Sequence, residues 1–498
     1  MRGKHQLVAG AILGLAAIPY GSAVASDAQL QRSVEGSLSR ALEAQATAEG
    51  GDPSAVQAAY DAARDFQESV RASQPVSPSC VRLFRVATSL SAALVRVQEG
   101  FDRPSPTMRA TARSEVRSLR GKVSSARGRC AGDGKSSAVP VVPMRPASGE
   151  AFFGSIASRG PVGSVRARIL VGKRLWKDLP LRGRSLDYKA TGPYRKYDFT
   201  IKFLDGSGKT VGRAEAKDTW LLPATGKVAQ PAARKDRALA SRLQSIARRS
   251  PGTVAIWAQD LTRGTYAGTN AGARFPAAST VKLGVLAGAM KRVGPRPETS
   301  PLFYDLKAIA NWSSNLAANR IVKRLGSGCS SARDQLANEG LRMLGAVSST
   351  YTGCYIVGTE LQPQMPPAPA TSSPPLNTQR YTTAQDLGRM MFALQAAAVP
   401  TPSARIRTGL SSKQARQIIG LLLSSQQAGG NRSLVAAGTP RGTPIAQKNG
   451  WLRSTRLSAS IAYLPTGPVI LTLAAYSPSG FPLATAQRLG ADAMRANN

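Results

Sequence analysis

Residues 275–283 read Phe275-Pro276-Ala277-Ala278-Ser279-Thr280-Val281-Lys282-Leu283, small residues that carry a hydroxyl and an amine into an apolar run. The run predicts a helix from Ser279 to Val293, on which positions three apart share a face. The Lys282 amine can then sit beside the Ser279 hydroxyl. A serine hydroxyl is a weak nucleophile and needs a neighbouring base. A lysine in an apolar site can be that base, because desolvation disfavours its charged form. A helix start also favours the negative charge that develops during attack. Alone, the pattern equally fits a capping serine beside a lysine whose stem lies along the helix.

The chain of 498 residues has one histidine, His5. Arg2 and Lys4, the apolar run from Leu7 to Ile18, and Ala23-Val24-Ala25 read as a secretory signal peptide over residues 1–25. The run is too short to span a bilayer, and no transmembrane segment is expected in the mature chain. Cleavage after Ala25 removes His5. The mature chain then has no imidazole, which excludes Ser-His-Asp and Cys-His catalysis and histidine-ligated zinc. Acid–base chemistry falls to Lys, Asp, Glu or Tyr, and no metal or cofactor is implied.

Two further motifs follow in order. Ser313-Ser314-Asn315 precedes an Ala-rich helix. Its hydroxyl can pass a proton to a leaving group, and the Asn amide can hold a substrate carbonyl. Lys448-Asn449-Gly450-Trp451 leads into an apolar strand. There a cationic lysine can bind a carboxylate, and glycine lets substrate approach the backbone. The N–H groups of Ser279 and Trp451 can form an oxyanion hole. Alone, the second motif reads as a helix cap and the third as an Asn-Gly turn.

Together the three resemble the ordered Ser-x-x-Lys, Ser-x-Asn and Lys-x-Gly boxes of the penicillin-recognising serine enzymes. The context is similar to that of class A β-lactamases: Phe275 to Leu283, Asn315-Leu316-Ala317-Ala318-Asn319, Tyr381 to Leu387, and Lys448 to Leu452. The resemblance covers about residues 250–498. It implies a β-lactamase/transpeptidase-like domain in which an antiparallel sheet is flanked by helices. It also implies an acyl-enzyme mechanism on β-lactams or D-Ala-D-Ala-type peptides. Ser279, Lys282 and Ser313 would be catalytic, with Asn315, Lys448, Asn449 and Gly450 on the substrate. Ser314 stands where the family has Asp, which weakens support for that loop, and Asn449 stands where it has Thr or Ser. The family's deacylating Glu lies four residues before an Asn. Here Ser373 holds that place before Asn377, and Glu360 does not fit the pattern. An acyl-enzyme should therefore form and persist.

Outward from this domain the chain divides into unlike stretches. Residues 26–131 predict a helical domain: Leu30, Val34, Leu38 and Leu42 recur at helical spacing, and Asp52-Pro53 begins a second helix. Residues 132–150 read as a linker. Residues 151–225 alternate like short strands and predict a small β-sandwich, immunoglobulin-like in general architecture. Residues 226–250 read as a basic connector, helical from Arg234, before the α/β (α+β) domain at 251–498. The four cysteines of an exported chain read as two disulfides. Proximity pairs Cys80 with Cys130 and Cys329 with Cys354; free buried thiols are the other reading.

Lys and Arg number 66 against 28 Asp and Glu, a formal charge of +38. The basic residues are spread over every domain with few interleaved aromatics, so no nucleic acid is expected. Anionic cell-envelope polymers fit better, with the protein secreted, periplasmic or wall-associated. Two functions stand at this point: a slow-deacylating serine hydrolase, or a non-catalytic cell-wall-binding protein with a decayed β-lactamase-like domain.

Overall fold

Asp52 starts the second helix through its side chain, whose Oδ1 accepts from Ser54 N (3.0 Å) and Ala55 N (2.8 Å). That is the N-cap bond that satisfies otherwise orphaned amides. The computed structural model describes residues 27–73, 78–102, 105–132, 148–150, 155–190, 195–222, 226–294, 297–326, 328–329, 335–357, 380–399, 407–425 and 433–497. The expected signal peptide with His5, and Glu360, Ser373 and Asn377, lie outside them. Four helices come first: α1 (Asp27–Thr47), α2 (Pro53–Ala72), α3 (Pro78–Asp102) and α4 (Pro106–Gly132). Leu30 and Val34 are buried, and Leu38 and Leu42 pack against the same core. Cys80 at the start of α3 is bonded to Cys130 near the end of α4, as an antiparallel hairpin allows.

Seven short strands follow: β1 (Ser148–Glu150), β2 (Ser155–Arg159), β3 (Arg166–Val171), β4 (Arg174–Pro180), β5 (Ser185–Lys189), β6 (Lys196–Leu204) and β7 (Thr210–Trp220). They form two antiparallel sheets, ordered β1-β2-β5 and β4-β3-β6-β7. Tyr197, Phe199, Ile201 and Phe203 point the same way from β6, as a two-residue period requires. They share a core with Ile156 and Leu186 of the other sheet. Trp176 meets Tyr197 and Phe199 edge-on, with centroids 5.2 and 5.6 Å away.

The remaining elements are β8 (Arg234–Lys235), α5 (Arg237–Arg249), β9 (Thr253–Asp260), β10 (Thr265–Thr269), β11 (Arg274–Pro276), α6 (Lys282–Arg292), α7 (Phe303–Trp312), α8 (Asn315–Leu325), α9 (Gln335–Met343), β12 (Tyr381–Thr383), α10 (Ala384–Ala398), α11 (Ser412–Ser424), β13 (Ile445–Trp451), β14 (Thr455–Leu464), β15 (Gly467–Tyr476) and α12 (Leu483–Asn497). A six-stranded sheet runs β13-β14-β15-β9-β10-β8, and only the β8–β10 pair is parallel. Its two faces are both covered. Val254, Ile256 and Ala258 of β9 pack with α5 and α12, while Ala255 and Trp257 face the larger helical core. Burial on both sides is why these strands read as apolar runs rather than alternating ones.

Two local readings are revised. Arg234 is not helical: Arg234 and Lys235 pair with β10, and α5 begins at Arg237, where Asp236 Oδ1 accepts from Leu239 N (2.8 Å). Leu239, Leu243 and Ile246 of α5 join the sheet's core, so this segment packs as part of the α/β unit rather than as a connector. The helix expected at Ser279 begins instead at Lys282, with Ser279 in the turn before it. No helix among the described residues is long and apolar enough to cross a membrane.

The first helices and the α/β unit share one apolar core and a buried ionic seam. Asp305 of α7 is fully buried, and its Oδ1 accepts from Tyr60 Oη (2.9 Å) and Arg64 Nε (3.2 Å). Arg320 of α8, also buried, donates through Nη2 to Asp65 (2.6 Å) and Glu68 (2.8 Å) of α2. Gln57 continues the seam, its Nε2 donating to Leu316 O (3.2 Å).

Candidate active site

The Ser279 turn is held on several sides. Ala277 N donates to Arg380 O (3.0 Å), Thr280 Oγ1 donates to Ala277 O (2.7 Å), and Tyr355 Oη donates to Ala278 O (3.0 Å). Ala278 has φ of +47°, a left-handed conformation costly for a residue with a Cβ. These bonds over-determine the turn and hold that strain next to Ser279. Lys282 N donates to Ser279 O (3.2 Å), so one tight turn separates hydroxyl and amine rather than a regular helical face.

The other two motifs close on Lys282. Its side chain is fully buried, and Nζ donates to Ser313 O (2.6 Å) and Asn315 Oδ1 (2.6 Å). Ser313 ends α7 in a left-handed conformation (φ +63°), and Ser314 caps α8 by accepting from Ala317 N (3.2 Å). Lys448 is equally buried; its Nζ donates to Ser313 Oγ (2.8 Å) and to Asn449 O (2.8 Å). Ser313 thus touches both lysines, through its carbonyl and its hydroxyl. Asn449 enters this network through its carbonyl.

Lys448-Asn449-Gly450-Trp451 lies on β13 itself, not in a turn before a strand. A Cβ on Gly450 would stand 3.0 Å from Ser279 N and 2.8 Å from Ala277 O. Only glycine lets β13 approach the Ser279 turn this closely. Trp451 is the next residue, at the end of the strand.

Burial pushes the Lys282 amine down to about 7, with Asp102 pulling the other way and Arg380 reinforcing the shift. Burial also holds Lys448 well below the usual lysine range, and the charge of Lys282 adds to it. Tyr355 lies between two cations, its ring centre 4.2 Å from Lys282 Nζ and 3.9 Å from Arg380 Cζ. Asn319 of α8 fixes the Tyr355 backbone from both sides, at 2.7 Å to N and 2.8 Å to O. The Cys329–Cys354 disulfide tethers the residue before it.

Tyr355, Arg380 and Asp102 are absent from the sequence-derived site. Tyr355 and Arg380 carry no local motif. Asp102 carries no local motif either. Its Oδ2 accepts from Asn315 N (2.8 Å) and Ser314 Oγ (3.3 Å).

Residues 238–296 and 333–496 match the model of the β-lactamase enzyme family. Solved structures similar to the chain include a protein described as PBP-A, at 17% identity over 55% of this chain and 97% of that one, with a TM-score of 0.40. A β-lactamase from Sphaerobacter thermophilus is similar at 16% identity, 52% and 95% coverage, and a TM-score of 0.40. A class A β-lactamase from Mycobacterium abscessus is similar at 17% identity, 52% and 97% coverage, and a TM-score of 0.41. No curated protein matches. The two matched segments carry Ser279, Lys282 and Lys448, and the match supports a β-lactamase-related serine enzyme family for this part of the chain.

Proposed function

We propose that the chain is an exported serine hydrolase of the class A β-lactamase/penicillin-binding type, acting through an acyl-enzyme on β-lactams or D-Ala-D-Ala-type peptides. One observation carries this reading: two buried lysines meet on Ser313 while Gly450 brings β13 against the Ser279 amide. Ser279 Oγ attacks the substrate carbonyl, and neutral Lys282 takes the hydroxyl proton. The N–H groups of Ser279 and Trp451 hold the oxyanion. As the tetrahedral intermediate collapses, the carbonyl carbon–nitrogen bond breaks, and Ser313 relays a proton to the leaving nitrogen. Lys448, Asn449 and Gly450 line the carboxylate side, and the substrate carboxylate supplies the countercharge that Lys448 needs to take up a proton. Asn315 accepts from Lys282 with its oxygen, and its two-donor amide can serve both Asp102 and a substrate carbonyl. Deacylation is slow because no Glu stands four residues before Asn377.

The test is intact-protein mass after incubation with a penicillin, beside a Ser279→Ala control. A lasting adduct that the control lacks is expected. No adduct with the drug left intact would replace this reading with a binding protein on a decayed enzyme fold. No adduct with the drug destroyed would overturn slow deacylation.

The pH dependence has a definite sign. Lys282 with its amine at about 7 is a base above that pH and is protonated below it. Acylation should therefore rise by about tenfold per pH unit well below 7 and level off above it. A stopped-flow rate that stays flat across this range would count against Lys282 as the base.

We read the two small sheets over residues 148–222 as a small β-sandwich. With the charge of +36 that remains once cleavage removes Arg2 and Lys4, it suits retention on anionic envelope polymers after export. Such retention should fall steeply between low salt and about 1 M, where screening acts over about 3 Å. Pelleting with isolated cell walls across a salt series checks it, and salt-insensitive pelleting would contradict it.

A further inference from the structure

We propose that Asp102, at the end of α3 in the N-terminal helices, is a positioning residue of the active site: its carboxylate holds the Ser313-Ser314-Asn315 turn in place from outside the hydrolase domain. The proposal rests on the acyl-transfer reading for its effect on rate, but not for its structural content.

Three observations support it. First, Asp102 Oδ2 accepts from both Asn315 N (2.8 Å) and Ser314 Oγ (3.3 Å), across 213 and 212 residues of chain. Asn315 is the first residue of α8, and its N–H is one of the amides a helix cannot satisfy by itself. Second, an acidic residue at the C-terminal end of α3 opposes that helix's own dipole, whereas a carboxylate at the N-terminus of α8 is favoured. The position is wrong for its own helix and right for the one it meets. Third, the turn it braces supplies both acceptors of Lys282 Nζ, at Ser313 O and Asn315 Oδ1, and the hydroxyl that meets Lys448. Ser314 brings no carboxylate of its own to this turn, and Asp102 provides one from a distant part of the same chain.

The charged or titratable groups facing Lys282 are Asp102 from α3, Arg380 and Tyr355 from the segments around β12, and Lys448 from β13. Asp102 is the one that favours the protonated amine. Its removal therefore has two separable consequences. The turn loses its brace, and the pH midpoint of acylation moves downward.

The experiment compares the full chain with Asp102→Ala, Asp102→Asn, Ser314→Asp and the double variant Asp102→Ala/Ser314→Asp. Acylation by a fluorescent penicillin is followed across pH, and thermal unfolding is measured in parallel. Asp102→Ala should slow acylation by about 10²-fold, the penalty of a misplaced reacting group. Ser314→Asp should recover most of that loss in the double variant, since Asp also caps helices well. Asp102→Asn should shift the midpoint below that of the parent. Tyr304→Phe, which removes the bond to Glu99 Oε1 (3.1 Å) at the same seam, should leave the rate unchanged. An undiminished rate in Asp102→Ala would overturn the proposal, as would equal slowing in the single and double variants. If the parent chain is not labelled at all, the acyl-transfer reading fails and the unfolding data decide. Ser314→Asp should then destabilise the parent and stabilise Asp102→Ala, and additive effects would overturn the proposal.

Discussion

Lys282→Met is expected to slow acylation of Ser279 by about 10²–10⁴-fold, the usual contribution of a positioned general base. The folded chain should survive the change. Met has a similar length and no charge, and Lys282 is fully buried with its amine pushed down to about 7. Replacing a buried ionisable group by a well-packed apolar one is often neutral or stabilising. The variant does leave Ser313 O and Asn315 Oδ1 without their donor, which limits any gain. The expected pair of results is a melting temperature near that of the parent with acylation nearly lost. Single-turnover labelling and calorimetry on the same preparation check both. A rate within threefold of the parent would remove Lys282 from the mechanism.

Asp305→Ala is expected to produce the largest loss of stability, about 3–5 kcal/mol, the cost of breaking a buried ion pair by removing one partner. Arg64 is buried and donates to both Asp305 oxygens, at 3.2 Å through Nε and 3.3 Å through Nη2. Without Asp305 its remaining partners are Gln67, Glu68 and the Pro301 carbonyl. Arg320 is better placed, because Asp65 and Glu68 still face it. The penalty therefore comes chiefly from Arg64, which keeps only Glu68, at 3.4 Å, as a carboxylate partner in the buried ionic seam. Exchanging Arg64 and Asp305 together for Met and Leu should return much of the loss. Equilibrium urea unfolding of the single and double variants measures the difference. A double variant no more stable than Asp305→Ala would show that the seam acts through something other than the uncompensated charge.

What was legible in the sequence was local. Asp52 announces a helix start because a cap reaches only two or three residues ahead. The Asp236 cap was missed, and its helix was placed from Arg234. Tyr197 to Phe203 shows its strand because alternation needs only neighbours. The three motifs were legible because each is a short pattern, and Gly450 stands where close approach to Ser279 requires it. The start of α6 at Lys282 was not legible, because the distortion at Ala278 is imposed by Tyr355 and Arg380 from distant segments. The place of Asp102 was hidden for the same reason. Its own neighbourhood is basic and helical, and its partners stand more than 200 residues away. Arg64 carries no local motif, yet it meets Asp305 across 241 residues.

Those long separations bear on the order in which the molecule is built. The N-terminal helices leave the ribosome well before Asp305 and Ser314 exist, and domains generally fold as units during synthesis. Contacts between residues far apart in sequence form slowly, because a long loop must close before they yield anything. The ionic seam and the Asp102 brace should therefore be late events in maturation. A newly made chain would hold Ser279 from the moment it is added, but the proposed site would be complete only at final docking. On that reading the fold is its own timer, with the site unassembled until both halves have met.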